Sequence, residues 1–205
     1  MPISTDEQLG WYRLDDTTLS VEYTLSRPID RSVGTALRLC ALVTTWRRGG
    51  LLLHAAGLLN SECGGALLAL AASEGGKSTL TDLAEGFASL SDETVAVDWI
   101  TRPHVSGTTF RSSSTKKPET LTAPLLGLLL LEKCSRASYE RVPPDVAARS
   151  LFEQAYRLPP AIGGLKPLLQ RCGDLAERVP AFRFRFPKNP EAASLLNELI
   201  GELDG

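Results

Sequence analysis

The chain has 205 residues with 22 Lys and Arg against 24 Asp and Glu, a net charge of −2, and 43% of its residues are apolar. That is the composition of a folded globular chain, long enough to bury a core without disulfide staples, and it excludes collagen, a disordered tail and a disulfide-built miniprotein. A sequence pI near 5.8 and the lack of a basic tract leave no electrostatic footprint for nucleic acid.

The opening residues, MPISTDEQ, carry neither a cationic nor an apolar segment, so no secretory signal is expected. The longest apolar run, Ala123 to Leu131, falls far short of the ~20 residues that span a bilayer. The expectation is a cytoplasmic chain with no membrane partner. Its four cysteines, Cys40, Cys63, Cys134 and Cys172, are scattered without a Cys-x-x-Cys pair, and only two histidines are present. Reduced, buried thiols fit that pattern better than a metal site.

Residues 11–26 read as short strands, with Leu19, Val21, Tyr23 and Leu25 alternating against polar neighbours. A helix follows over about 30–48, with Val33, Leu37, Cys40, Ala41 and Thr44 on one face and Gly49-Gly50 after a cationic last turn. Leu51 to Leu59 is apolar except for His54, and a Gly-rich turn links it to Ala66–Leu70, which predicts a hairpin. Ala71-Ala72-Ser73-Glu74-Gly75-Gly76-Lys77-Ser78-Thr79 comes next, and Leu80, Leu83 and Ala84 have helical spacing. Residues 86–90 and 94–99 read as strands on either side of Ser91-Asp92-Glu93. Residues 103–120, rich in Ser, Thr, Lys and Pro, read as a mobile loop.

Leu125 to Leu131 lacks alternation, which predicts a strand covered on both faces. Helices are expected from Pro143-Pro144-Asp145 to about Tyr156 and between Ala161 and Arg171. Phe182-Arg183-Phe184-Arg185-Phe186 alternates strictly and predicts an edge strand, with the arginines in water or meeting a phosphate or carboxylate. Asn189-Pro190-Glu191 has the chemistry of a helix start. Behind it Ala192, Leu195, Leu196, Leu199, Ile200 and Leu203 form a stripe suited to core docking, or second to a dimer seam in a homo-oligomer.

The chemistry concentrates between Leu51 and Asp98. Gly76-Lys77-Ser78 is the strong half of the phosphate-binding pattern Gly-x-x-x-x-Gly-Lys-Ser/Thr, set between a predicted strand and a predicted helix. In that pattern small residues let backbone N–H groups approach phosphate oxygens, the lysine neutralises phosphate charge, and the hydroxyl ligates Mg²⁺. Ser73, Gly75, Gly76, Lys77, Ser78 and Thr79 are the candidate nucleotide-binding residues, with ATP as the expected cofactor. Ala71 stands where the first glycine belongs, and Glu74 places a carboxylate inside the loop. Asp92 and Glu93 follow the next predicted strand, where Asp92, with Ser78, would hold Mg²⁺ and Glu93 would take a proton from an attacking hydroxyl; a solvated acidic turn is the plainer alternative. His54 is either a core residue or, on a neighbouring strand, a group near the phosphates. Arg111, Lys116 and Lys117 could meet phosphate or substrate, or simply face water.

These segments, GLLLHAAGLL, GGALLALAASEGGKSTL and LSDETVAVD, resemble the catalytic domain of the HPr kinase/phosphorylase family, and more closely its short stand-alone relatives associated with peptide modification. The resemblance implies an α/β, mixed-sheet P-loop domain of the HPr kinase and phosphoenolpyruvate carboxykinase type with C-terminal helices. The resemblance is good over about 50–100, thin over 105–135 and loose elsewhere, and it implies a single domain over 1–205: N-terminal strands and helix to 50, a nucleotide-binding core over 51–135, and a helical C-terminal part over 136–205. It implies catalytic roles for His54, Lys77, Asp92 and Glu93. Family members carry Asp-Asp where this chain has Asp92-Glu93, and their Gly-x-Ser-Gly-x-Gly-Lys-Ser loop differs here at Ala71 and Glu74. Ser106-Gly107-Thr108-Thr109-Phe110 and the strand after it are similar to a Gly-Thr-Pro-Phe segment of those relatives, with Thr109 replacing the proline. The recognition loop and N-terminal domain of full-length HPr kinases have no counterpart, so HPr is not the expected substrate. The implied activity is an ATP- and Mg²⁺-dependent kinase acting on a Ser/Thr hydroxyl of a protein or natural-product precursor peptide. The alternatives are a non-catalytic nucleotide-binding or partner subunit and, third, a small-molecule hydroxyl kinase.

Overall fold

The computed structural model describes residues 2–5, 8–14, 19–23, 29–72, 74–158 and 162–204, with side chains from Val33 onward. The chain divides into two compact units, Met1–Thr44 and Thr45–Gly205.

In the first unit β1 (Pro2–Thr5), β2 (Gln8–Leu14) and β3 (Leu19–Tyr23) form an antiparallel meander; β3 and the end of β2 fall where the sequence predicts strands, whereas β1 has no counterpart in that reading. Leu25, the last residue of the predicted alternation, lies outside the described residues. Helix α1 (Ile29–Arg47) begins and ends within a residue of its predicted bounds. Of the residues that share a face in the sequence reading, Val33, Leu37 and Thr44 are exposed, whereas Leu42, Val43 and Thr45, outside that set, are buried. The last turn of the helix, from Thr45, belongs to the second unit: there Gly50 N–H donates to the Thr45 carbonyl, and Arg171, 125 residues from Trp46, donates to the Trp46 carbonyl with its guanidinium over the indole ring.

The second unit is α/β with a mixed sheet. Its strands are β4 (Leu51–Leu53), β5 (Ala55–Asn60), β6 (Ala66–Leu70), β7 (Phe87–Ser91), β8 (Val95–Trp99), β9 (Pro103–Ser106), β10 (Thr122–Lys133), β11 (Ser138–Val142) and β12 (Ala181–Phe186). The order is β4-β8-β9-β10-β6-β5-β7, with β12 on β10 and β11 on β12. β10 joins the two halves: its first residues pair antiparallel with β9, and the rest pair parallel with β6 and β12. β5 and β6 form the predicted hairpin.

The residues of β6 alternate between two cores. Ala66, Leu68 and Leu70 join one with α3 (Pro144–Gln154) and α4 (Leu165–Arg178); Leu67 and Ala69 join another with α2 (Lys77–Leu83) and α5 (Glu191–Asp204). Leu128 and Leu129 of β10 divide in the same way, so the sheet is covered on both faces as its unbroken apolar run predicts. The α5 stripe docks into the core, with Ala192, Leu196, Leu199 and Ile200 buried.

β12 departs from expectation. It is not an edge strand, because β10 and β11 pair with it on either side. Phe182, Phe184 and Phe186 all enter the α2/α5 core, while Arg183 and Arg185 lie between Glu132 of β10 and Glu140 of β11, at 2.8–3.0 Å. The cross-strand carboxylates make a cationic row tolerable inside the sheet.

Candidate active site

The apolar stretch 51–59 is two strands, broken at His54. β4 pairs with β8, whereas β5 pairs with β6 and β7. At the break His54 N–H donates to the Gln154 carbonyl and Ala55 N–H to the Glu93 carbonyl. The ring is tied to the same strand turn, with Nδ1 2.9 Å from the Glu93 carbonyl oxygen. A carbonyl only accepts, so Nδ1 carries the proton in that bond, and in the neutral ring Nε2 is the basic nitrogen.

β6 ends at Leu70, and the glycine loop leads straight into α2. Ala71 needs no glycine conformation: among the described residues Glu74 is the non-glycine with positive φ, at 61°. A side chain at Gly75 would bring its Cβ to 2.5 Å from the Ala71 Cβ, so Ala71 is accommodated because Gly75 has none. Gly76 takes φ 100° at the start of the helix, close to the Phe186 ring at the end of β12. Ser73 lies outside the described residues.

Lys77 is only 6% exposed. Its Nζ donates to the Ala71 carbonyl at 2.8 Å and the Ala72 carbonyl at 3.4 Å. Burial lowers its pKa, and the Asp92 charge opposes part of that shift. Asp92, 2% exposed, follows β7. It accepts the Ser78 hydroxyl at 2.6 Å and the backbone N–H groups of Ser112, Ser113 and Ser114 at 2.8–3.1 Å. Burial would raise its pKa, but those four hydrogen bonds outweigh burial and hold the carboxyl below the usual aspartate value.

The segment between β9 and β10, residues 107–121, is strapped down rather than loose. Gly107 N–H donates to Leu121 and Glu119 N–H to Ser89, and a Cβ at Gly107 would run into the Glu119 carbonyl. Ser114 and Thr115 donate three hydrogen bonds to Asp82 of α2. Lys116, offered by the sequence as a phosphate contact, instead donates to the Ala84 and Phe87 carbonyls, at 2.5 and 2.9 Å. The polar composition that reads as mobility supplies the donors that fix the strap.

A pocket of about 240 Å³ opens here, lined by His54, Glu74–Thr79, Asp92, Ser112, Ser113 and Lys133. It thus gathers His54, Gly75, Gly76, Lys77, Ser78, Thr79 and Asp92 from the sequence-derived set. Glu93 is not among its lining residues, although its carbonyl holds the His54 ring. The residues that sequence reasoning missed are Lys133, Ser112 and Ser113. Lys133 could have been found by asking which charged residues, Glu132 and Lys133, end β10, since ligands in α/β sheets sit at the carboxyl ends of parallel strands.

Among the described residues, no three His, Cys, Asp or Glu side chains cluster as a metal site. The oxygens present still fit Mg²⁺, which keeps several waters and takes few protein ligands. Ser78 gives its proton to Asp92 and keeps its lone pairs, so Ser78 fits as the ligand and Asp92 as the acceptor that orients it. Among the described residues, no helix is long and apolar enough to cross a membrane. No protein-family model matches the chain, and no curated protein matches it significantly. What fold and site define is therefore a class: an α/β chain with a polar pocket, lined by Lys77 and Lys133 with Glu74 and Asp92, where a parallel strand passes through a glycine loop into a helix.

Proposed function

We propose that this pocket binds the phosphates of ATP with Mg²⁺ and that the chain transfers the γ-phosphoryl group to a Ser/Thr hydroxyl, as a P-loop kinase of the HPr kinase type. The observation that carries this reading is the convergence of Lys77, Ser78 and Asp92 on one pocket at the end of β6, with Ser78 donating to Asp92 at 2.6 Å. Lys77 and Lys133 neutralise phosphate charge, and the glycine loop offers N–H groups at close approach. Ser78, its hydroxyl oriented by Asp92, would hold Mg²⁺, and the ion would supply neutralisation of phosphate charge. His54, steadied by the Glu93 carbonyl, lines the same pocket in support, and Glu93 is the proton acceptor in this reading.

Lys77 must exchange its two carbonyl partners for phosphate oxygens when nucleotide enters. The test is titration of Mg·ATP into the full chain by calorimetry, alongside Lys77→Ala. Saturable binding that drops at least tenfold in the variant is the expected outcome; equal affinity in both would remove the phosphate assignment. A second reading, a nucleotide-binding subunit without turnover, is favoured by one observation: the Glu74 carboxylate belongs to a residue lining the pocket. Binding without ADP formation against any hydroxyl acceptor would select it.

A further inference from the structure

The strap carries four consecutive hydroxyl residues, Ser112-Ser113-Ser114-Thr115, and the fold treats them as two pairs. Ser114 and Thr115 spend their hydroxyls on Asp82, at 2.8 and 2.9 Å. Ser112 and Ser113 are anchored by backbone alone: their N–H groups donate to Asp92, at 2.8 and 3.1 Å. Both are exposed and both line the pocket with Lys77, Ser78 and Lys133. Of the other hydroxyls lining the pocket, that of Ser78 is engaged with Asp92, and Thr79 belongs to the loop–helix segment. The backbone that carries Ser112 and Ser113 is thus fixed to the same carboxylate that orients Ser78.

We propose that the chain phosphorylates its own strap, with Ser112 or Ser113 as the phosphoryl acceptor. This rests on the phosphotransfer reading above and names a substrate for it. In the step, the serine Oγ forms a bond to the γ-phosphorus of ATP as the bond from that phosphorus to the β,γ-bridging oxygen breaks. ADP leaves with the bridging electron pair, the hydroxyl proton passes to water, and a serine phosphomonoester remains. Tethering supplies what a diffusing acceptor lacks, because the hydroxyl is already held at the donor site. Phosphate placed there is paired by Lys77 and Lys133.

The experiment incubates the full chain with Mg·ATP labelled in the γ-phosphate and maps phosphate by peptide mass spectrometry across a dilution series, with Mg·ATP affinity measured separately by calorimetry. The expected result is label on the peptide carrying Ser112 and Ser113, at a rate per molecule that does not change on dilution, and loss of that label in the Ser112→Ala/Ser113→Ala double variant. Mg·ATP that binds in a Lys77-dependent way but leaves the strap unlabelled overturns this inference and leaves the phosphotransfer reading standing. Labelling whose rate per molecule falls in proportion to dilution likewise overturns the tethered step. If Mg·ATP does not bind, both fall together. Mapping the unmodified chain decides the matter even if the double variant folds poorly.

Discussion

The glycine loop of residues 71–77 and the strap of residues 107–121 face one pocket but are built on opposite plans. The loop turns two carbonyls, Ala71 and Ala72, onto the ammonium of its own Lys77, within six residues. The strap turns three N–H groups onto the carboxylate of Asp92, across 20–22 residues. Each buried charge is therefore satisfied by backbone before any ligand arrives, as an interior charge must be. The cation's partners are local, both supplied by the loop that carries it. The anion's partners hold a long segment in place, so losing them costs the segment its anchor.

Asp92→Ala is the strongest way to break this comparison. It strands three N–H groups and the Ser78 hydroxyl, with an expected loss of about 3 kcal/mol. Hydrogen exchange should show the amides of Ser112–Ser114 exposed while those of β6 and β10 stay protected; equal protection would mean that the strap does not depend on Asp92.

Gly75→Ala tests the loop instead. The new Cβ would lie 2.5 Å from Ala71 Cβ and 2.8 Å from the Ala72 carbonyl, and a cost of about 2 kcal/mol is expected from overpacking. Adding Ala71→Gly should recover the part due to the methyl–methyl contact, read as a coupling between the two sites in thermal or denaturant unfolding. Strict additivity would show that the two residues do not meet.

Acidification gives a graded version of the first test. Asp92 and Asp82 are both held below the usual aspartate value of 3.8, because their hydrogen bonds outweigh desolvation. The unfolded chain then binds protons first, so their contribution is complete above 3.8 and is lost as pH falls through the depressed folded values. Strap amides should lose protection in that window before the sheet does. The smallest effect belongs to Glu74→Gly, which relieves a φ of 61° and should stabilise the chain by about 1 kcal/mol while tightening Mg·ATP binding. Unchanged affinity would place the carboxylate away from the phosphates.

Much of the fold is legible in the chain because it is written in local periods. Apolar runs place β5, β6 and β10, and the 3.6-residue stripe of α5 names its buried face. Gly76-Lys77-Ser78 marks the loop by composition alone. The grip of Arg171 on the Trp46 and Gly50 carbonyls escapes this reading, because its partners lie more than a hundred residues away. The interior position of β12 escapes it too: alternating Phe and Arg suits an edge strand equally well until Glu132 and Glu140 flank it. Most of the pocket was legible for the same reason that the rest was not. Lys77 and Ser78 belong to one motif, whereas Lys133, Ser112 and Ser113 arrive from other elements with no spacing to announce them.

The sequence by itself determined the helices, most of the strands other than β1, β9 and β11, the hairpin, the two-sided cover of the central strands and the glycine–lysine loop, because side-chain periodicity and turn chemistry act over a few residues. Only the tertiary structure decided that Asp92 grips the strap, that Lys116 is spent on carbonyls and that Ser112 and Ser113 enter the pocket. Those outcomes depend on which buried groups find partners across long stretches of chain. That choice is made by the desolvation cost of leaving such groups unpaired, and it is settled only when the layers pack.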